Sequence, residues 1–187
     1  MRDLIVTENI TADGVIEAVT DWFGPSGSEE ARDTAEMARV QEQQREEADA
    51  VLLGRVTFEQ FRGYWPKQTD DTTGITDYLN AVDKYVVSGT LTDPGWEGST
   101  VLRGPLEQEV TRLKEQPGKA VVATGSVTLV QALARSGLVD EYRLFVYPVV
   151  LGRGRRLFDR ATAVPPLRLV EARAFGSGVL LVRYRPH

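Results

Sequence analysis

The sequence predicts an α/β fold built on a mainly parallel sheet, with antiparallel strands added at its carboxyl-terminal edge. Three observations predict it. A β-rich apolar run ends in glycine, with a small hydroxyl residue nearby, at three places: Ala50-Val51-Leu52-Leu53-Gly54-Arg55-Val56-Thr57, Tyr85-Val86-Val87-Ser88-Gly89-Thr90 and Ala120-Val121-Val122-Ala123-Thr124-Gly125-Ser126-Val127-Thr128. The three glycines recur 35 and 36 residues apart, about the length of one strand–helix–strand unit. The last third changes to alternating segments around Tyr142, Leu144 and Val146, then Leu167–Val170 and Gly178–Tyr184, as an antiparallel edge requires.

Each element follows from local pattern. Leu4–Ile10 is a strand closed by the polar turn Thr11-Ala12-Asp13-Gly14, and Gly24-Pro25-Ser26-Gly27 breaks the ambiguous stretch after it. A helix starts at Ser26, where Ser26 and Glu29 have capping-box spacing and Glu30 and Asp33 suit the helix dipole. It runs to about Ala48 on a thin apolar stripe of Ala31, Ala35, Ala38 and Val40. The strand Ala50–Leu53 leads through Gly54 into a short helix carrying Phe58 and Phe61, then a polar loop from Arg62 to Gly74. Ile75, Tyr78, Leu79 and Val82 share one helical face. The strand Lys84–Val87 precedes a turn at Asp93-Pro94-Gly95 and a short strand Thr100–Leu102. Pro105 opens a helix with Leu106, Val110 and Leu113 inward, stopped by Pro117-Gly118. The strand Ala120–Ala123 leads to a helix from about Ser126 to Ser136, capped by Gly137. Phe175-Gly176-Ser177-Gly178 is a hairpin turn between the last two strands.

Composition bounds the function. The 187 residues suit one domain over 1–187, with ordinary apolar and charged shares of 42% and 26%. A net charge of −5 without a basic run argues against a nucleic-acid partner. Cysteine is absent and the one histidine is His187, so thiol or imidazole catalysis and clustered metal ligation are not expected. The first apolar run is too short for a secretory signal and no stretch approaches a membrane span. The expectation is a cytoplasmic protein acting on a small molecule, with no metal and no membrane contact.

The junctions carry the chemistry. Glycine at the carboxyl end of a parallel strand admits close backbone approach, and the following helix offers its positive N-terminus to an anion. Three such ends form a cradle for a nucleotide cofactor. Gly54, Arg55 and Thr57 suit a phosphate, against the simpler reading of a glycine turn with a surface arginine. Ser126 and Thr128 repeat the pattern, against plain N-capping by Ser126. Ser88 and Thr90 give a weaker third. Gly152-Arg153-Gly154-Arg155-Arg156 lacks the third glycine of a dinucleotide fingerprint and reads as a basic loop. With Arg160 its arginines are a solvated face, or an anionic-substrate or dimer contact. Asp13 is the leading acid–base candidate, against a turn aspartate bonding its own backbone. Trp22, Phe23 and Trp65 are candidates for an aromatic substrate pocket.

These segments resemble the dihydrofolate-reductase-like superfamily, in the branch containing the C-terminal reductase domain of bacterial riboflavin-biosynthesis (RibD) enzymes. Five carry the likeness in order: Thr11-Ala12-Asp13-Gly14, Leu53–Phe58, Val86–Leu91, Thr124-Gly125-Ser126, and Gly137–Tyr142 through Pro148–Gly154. The resemblance implies a three-layer α/β/α fold, NADPH-dependent reduction of a pterin- or pyrimidine-like heterocycle, and a homodimer. It places Gly54, Arg55 and Thr57 on the cofactor phosphates and Ser88 and Thr90 near the adenosine. Thr124, Gly125, Ser126, Val127 and Thr128 would wrap the pyrophosphate, and Asp13 would lie beside nicotinamide and substrate. Two departures matter. Gly89 stands where the family often has arginine, so NADPH preference falls to Arg55, with Arg103 in reserve, and NADH is possible. Gly125-Ser126 replaces a frequent Gly-Gly, which requires ordinary torsions at the serine. The proton would come from Asp13 or water. The alternative is a non-catalytic module that binds nicotinamide nucleotides.

Overall fold

In the computed structural model, residues 1–20, 22, 31–159 and 164–187 are described, the side chains of 31–34 apart. The elements are β1 (Leu4–Thr11), α1 (Ala31–Glu46), β2 (Ala48–Gly54), α2 (Arg55–Tyr64), α3 (Ile75–Ala81), β3 (Asp83–Val87), β4 (Ser99–Leu102), α4 (Leu106–Glu115), β5 (Ala120–Ala123), α5 (Val127–Arg135), β6 (Glu141–Tyr147), β7 (Leu167–Ala174) and β8 (Leu180–Pro186). These strands form one sheet in the order β4-β3-β2-β5-β1-β6-β8-β7. The first six are parallel; β8 runs antiparallel to β6, and β7 antiparallel to β8.

Helices cover both faces, as a parallel sheet requires. On one face Leu4, Val6, Ala50, Leu52, Val121 and Ala123 pack against Val110 and Leu113 of α4 and Val130 and Leu133 of α5. On the other, Val51, Leu53 and Val86 meet Phe58 of α2 and Leu79 of α3, while Val40 of α1 meets Phe145 and Leu181. Each buried Val, Leu or Phe here contributes about 1.5–3 kcal/mol by leaving water. Lys84 is fully buried, and its ammonium donates to Leu79 O and Val82 O, both at 2.7 Å, which closes the carboxyl end of α3.

Two elements outrun their expected bounds furthest, and α1 stops at Glu46, short of the expected Ala48, because β2 already begins there. The expected loop from Arg62 begins as helix, because α2 continues to Tyr64 and Trp65–Lys67 form a 3-10 turn. Phe61 and Trp65 extend the apolar stripe of Phe58, and Arg62 is held by Pro94 O at 2.7 Å. At the other edge β7 reaches Ala174, because β8 pairs with it as far as the Phe175–Gly178 turn. The capping box of Ser26 with Glu29 lies outside the described residues.

Candidate functional site

Parallel strands put their carboxyl ends on one edge of the sheet. There β3, β2, β5 and β1 lie side by side, so all three glycine junctions and the Thr11–Gly14 turn come together. Hydrogen bonds lace them. Gly54 N–H donates to Ser126 Oγ at 2.9 Å, joining the β2 and β5 junctions. Thr57 Oγ1 donates to Gly125 O at 3.4 Å, and Gly125 N–H donates to Glu8 Oε1 of β1 at 2.8 Å.

Gly125 is exposed and adopts φ +66°, the left-handed region that disfavours any side chain. Ser126 has φ −89° and ψ 72°, a negative φ that a serine tolerates, so the left-handed torsion falls on the glycine alone. The N-capping reading of Ser126 does not hold. The residue makes no side-chain cap to α5, and its buried hydroxyl is engaged by Gly54. Ser88 is similar: its Oγ accepts the N–H groups of Thr90 and Leu91 at 3.1 and 2.9 Å. Thr57 and Val127 are buried, whereas Arg55, Gly89, Thr90, Gly125 and Thr128 are exposed. Arg55 pairs with Glu59 one helical turn on, at 2.8 Å. Arg103, at the end of β4, donates to Leu91 O at 2.6 Å and so borders the Ser88–Leu91 turn.

This arrangement fits an elongated dinucleotide. The helices α2 and α5 begin at two of the junctions, and the first N–H groups of a helix lack intrahelical partners; at α5 the donors left to a ligand start after Val127, because Ser126 N–H bonds Thr124 O at 2.8 Å and Val127 N–H bonds Gly125 O at 3.2 Å. At the turn between them, an added Cβ on Gly125 would come within 3.3 Å of Thr57 Cγ2. The site thus offers backbone donors, exposed hydroxyls and a bare glycine surface, which an anionic diphosphate needs.

Glu8 is the residue that sequence reasoning missed. It lies on the face of β1 that Leu4, Val6 and Ile10 give to the core, and only 4% of it is exposed. Burial pushes its carboxyl up to about 8, against the opposing pull of the Gly125 N–H bond. The signal was a lone carboxylate on an otherwise apolar alternation.

Asp13 takes the turn-aspartate alternative in an extended form. Its Oδ1 accepts from the Thr11 hydroxyl at 2.6 Å and Leu151 N–H at 3.2 Å. Its Oδ2 accepts from Gly152 N–H at 2.9 Å and Arg156 Nη2 at 3.3 Å. The Thr11 hydroxyl, then the Gly152 and Leu151 N–H groups, hold it at about 2. Asp13 is therefore an ionised clasp between the β1 turn and the 151–156 loop. Glu17 makes a second clasp with Arg155, through Nε at 2.7 Å and N–H at 3.0 Å. Arg155 and Arg156 thus anchor this basic loop instead of forming a freely solvated face; Arg160 lies outside the described residues.

The aromatic candidates divide. Trp65 meets Tyr64 edge-on at 5.0 Å and packs on the α2–α3 cluster. Trp22 meets Tyr147 of β6 edge-on at 5.5 Å. The two rings lie against different parts of the fold, and Phe23 lies outside the described residues. No group of three or more His, Cys, Asp or Glu among the described residues could hold a metal ion, and no helix there is long and apolar enough to cross a membrane.

A mainly parallel sheet covered on both faces, with glycine junctions gathered on one edge, defines an α/β class that takes ligands at its strand ends. The family model for the RibD C-terminal domain matches residues 2–181, and the chain belongs to that family. Two Bacillus subtilis proteins are similar. YyaP is 36% identical over 138 residues, 73% of each chain, and YwjB is 30% identical over 133 residues, 71% of each; both are uncharacterized proteins. Among solved structures, a putative riboflavin biosynthesis protein from Shewanella sp. PV-4 superposes with a TM-score of 0.75 at 19% identity over 99% of both chains. A pyrimidine reductase-like protein from Corynebacterium diphtheriae gives 0.67 at 16% identity, over 98% of this chain and 91% of that one. The Thermotoga maritima diaminohydroxyphosphoribosylaminopyrimidine deaminase/5-amino-6-(5-phosphoribosylamino)uracil reductase gives 0.61 at 17%, over all of this chain and 57% of that one. The fold is that of RibD-like reductases.

Proposed function

We propose that this protein is a reductase that transfers a hydride from NADPH, or less well NADH, to a small pterin- or pyrimidine-like heterocycle. The observation that carries the proposal is the meeting of the Gly54, Ser88 and Gly125 junctions on adjacent strand ends, with exposed donors between them. The bound nicotinamide would supply the hydride; the chain's part is to hold, orient and exclude water. Gly125 and Thr128, with the first N–H groups of α5 and α2, would hold the pyrophosphate. Thr90 would lie at the adenosine end. Arg103 fits the 2′-phosphate better than Arg55, because it borders the Ser88–Leu91 turn and Arg55 is engaged by Glu59. Asp13, ionised at about 2, holds no proton near neutrality, so its part is to fix the loop beside the substrate, and water supplies the proton. Trp22 and Trp65 would border the substrate.

Loss of reduced-nicotinamide absorbance with a panel of pterins, pyrimidines and quinones tests the activity. Turnover of at least one heterocycle is expected. Binding of NADPH with no turnover of any favours the binding-module alternative, and no binding of NADPH or NADH overturns both. Arg103→Ala should weaken NADPH by about 1.5–3 kcal/mol, the worth of a charged hydrogen bond, and NADH by less. Equal losses would move Arg103 off the 2′-phosphate.

We also propose a homodimer. Leu169 and Val170 on the edge strand β7 are 52% and 41% exposed, an apolar edge that a second copy would cover. Light scattering that reports only a 20.7 kDa particle at every concentration overturns it.

A further inference from the structure

Glu8 occupies a core position beneath the Gly125 turn. Its partner across the β1–β6 ladder is Leu144, and its neighbours along the same face are Val6 and Ile10. The elements packed there bring little charge. β5 contributes Ala123 and the Thr124–Ser126 turn, and α5 contributes Val127, Leu129 and Val130. On β6 the titratable group of that face is the Tyr142 phenol, pushed up to about 12 by burial. The charged groups on the adjoining segments are matched with one another, Asp13 with Arg156 and Glu17 with Arg155. Arg135, at the far end of α5, pairs with Asp159. The pull of the Gly125 N–H falls short of the cost of burial, which keeps the Glu8 carboxyl protonated to about pH 8.

We infer that Glu8 is a positioning residue that must carry a proton for the anionic cofactor to bind at the Gly125 turn. This rests on the proposed cofactor site. A neutral carboxyl accepts the Gly125 N–H and leaves the turn's outer surface to the ligand. A carboxylate there would set a buried negative charge behind the same turn that receives the pyrophosphate, and the guanidinium at that site, Arg155 on Thr128 Oγ1 at 3.3 Å, is exposed and already paired with Glu17. Binding therefore takes up one proton from solvent onto Glu8 wherever the free protein has lost it, and no other bond forms or breaks.

The sign follows from linkage. The complex favours the protonated form, so affinity is flat below the free protein's titration and falls above it, by at most about tenfold per pH unit. The test is NADPH titration calorimetry from about pH 6.5 to 9.5, in buffers of different ionisation enthalpy, with wild type and Glu8→Gln. Glutamine keeps the acceptor for Gly125 and cannot ionise. Wild type should lose affinity above about pH 8 and take up close to one proton per cofactor there; Glu8→Gln should do neither. A wild-type affinity flat across the range, or the same loss and proton uptake in Glu8→Gln, overturns the inference and leaves the cofactor site standing. Absence of NADPH binding to wild type at the acid end overturns both. Urea unfolding supplies a readout without cofactor. The unfolded chain ionises Glu8 from about pH 4.5 while the folded chain holds its proton, so wild-type stability falls relative to Glu8→Gln up to about pH 8. Parallel profiles for the two proteins also overturn it.

Discussion

Gly125 carries two demands at once, a φ of +66° and a bare surface toward Thr57. Gly125→Val should cost roughly 1–3 kcal/mol of stability through backbone strain and abolish NADPH binding. Chemical denaturation and a fluorescence titration check the two effects; a folded variant that binds as the parent does would remove the junction from the site. Residues such as Gly54 and Gly125 were legible in the sequence because a strand that ends in glycine and leads into a helix has a local signature. Glu8 was not, because the strand Leu4–Ile10 does not by itself say which face is buried, and only the alternation of Leu4, Val6 and Ile10 puts the carboxylate on the core side. Arg103 ranked behind Arg55 for a different reason. Its place beside the second junction depends on β4 pairing with β3, a contact between strands that no local pattern encodes.

Helices with full apolar stripes could be read almost to the residue: α3 and α5 follow their 3.6-residue periods, and α4 starts where Pro105 predicts. Boundaries slipped where tertiary packing overrode local chemistry. The polar residues after Arg62 suggest a loop, yet Trp65 packing on the α2–α3 cluster holds the chain in helix and a 3-10 turn. Ser126 illustrates the same point. Its sequence position is that of a helix cap, but the nearer demand is Gly54 N–H, a partly buried donor from a strand 72 residues away. An unmet buried donor costs about 1–3 kcal/mol, comparable with a cap, so geometry decides which partner the hydroxyl serves.

The α/β class and the antiparallel edge could be read from pattern alone, whereas the strand order could not. β5 enters between β1 and β2 through crossovers, and that insertion is what brings the junctions together. The opposite pole of the sheet carries a different chemistry. Glu141, fully buried on β6, accepts from Arg143 Nε at 2.7 Å, Arg183 Nε at 2.8 Å and Arg185 Nε at 2.9 Å. A cavity of about 400 Å³ beside it is lined by Arg2, Lys119 and Glu47, away from the proposed cofactor edge. Burial alone would push the Glu141 carboxyl up, but the three guanidinium groups outweigh it and hold it below its ordinary value. A lowered carboxylate stabilises the fold above its unfolded titration, near pH 4.5, and that stability is lost as pH falls through the folded value. Glu141→Gln should therefore cost about 3–5 kcal/mol near neutrality, the usual loss on breaking a buried ion pair, and progressively less in acid. Unfolding curves that differ equally at neutral and acid pH would contradict this. On the proposed function, a nicotinamide dinucleotide lies across the carboxyl ends of β3, β2, β5 and β1. A crystal structure of the protein with NADPH tests it most directly. The pyrophosphate should lie against the backbone N–H groups in the first turns of α5 and α2, with the 2′-phosphate near Arg103. A cofactor bound at the arginine-lined pole, or no ordered cofactor at saturating concentration, would contradict it.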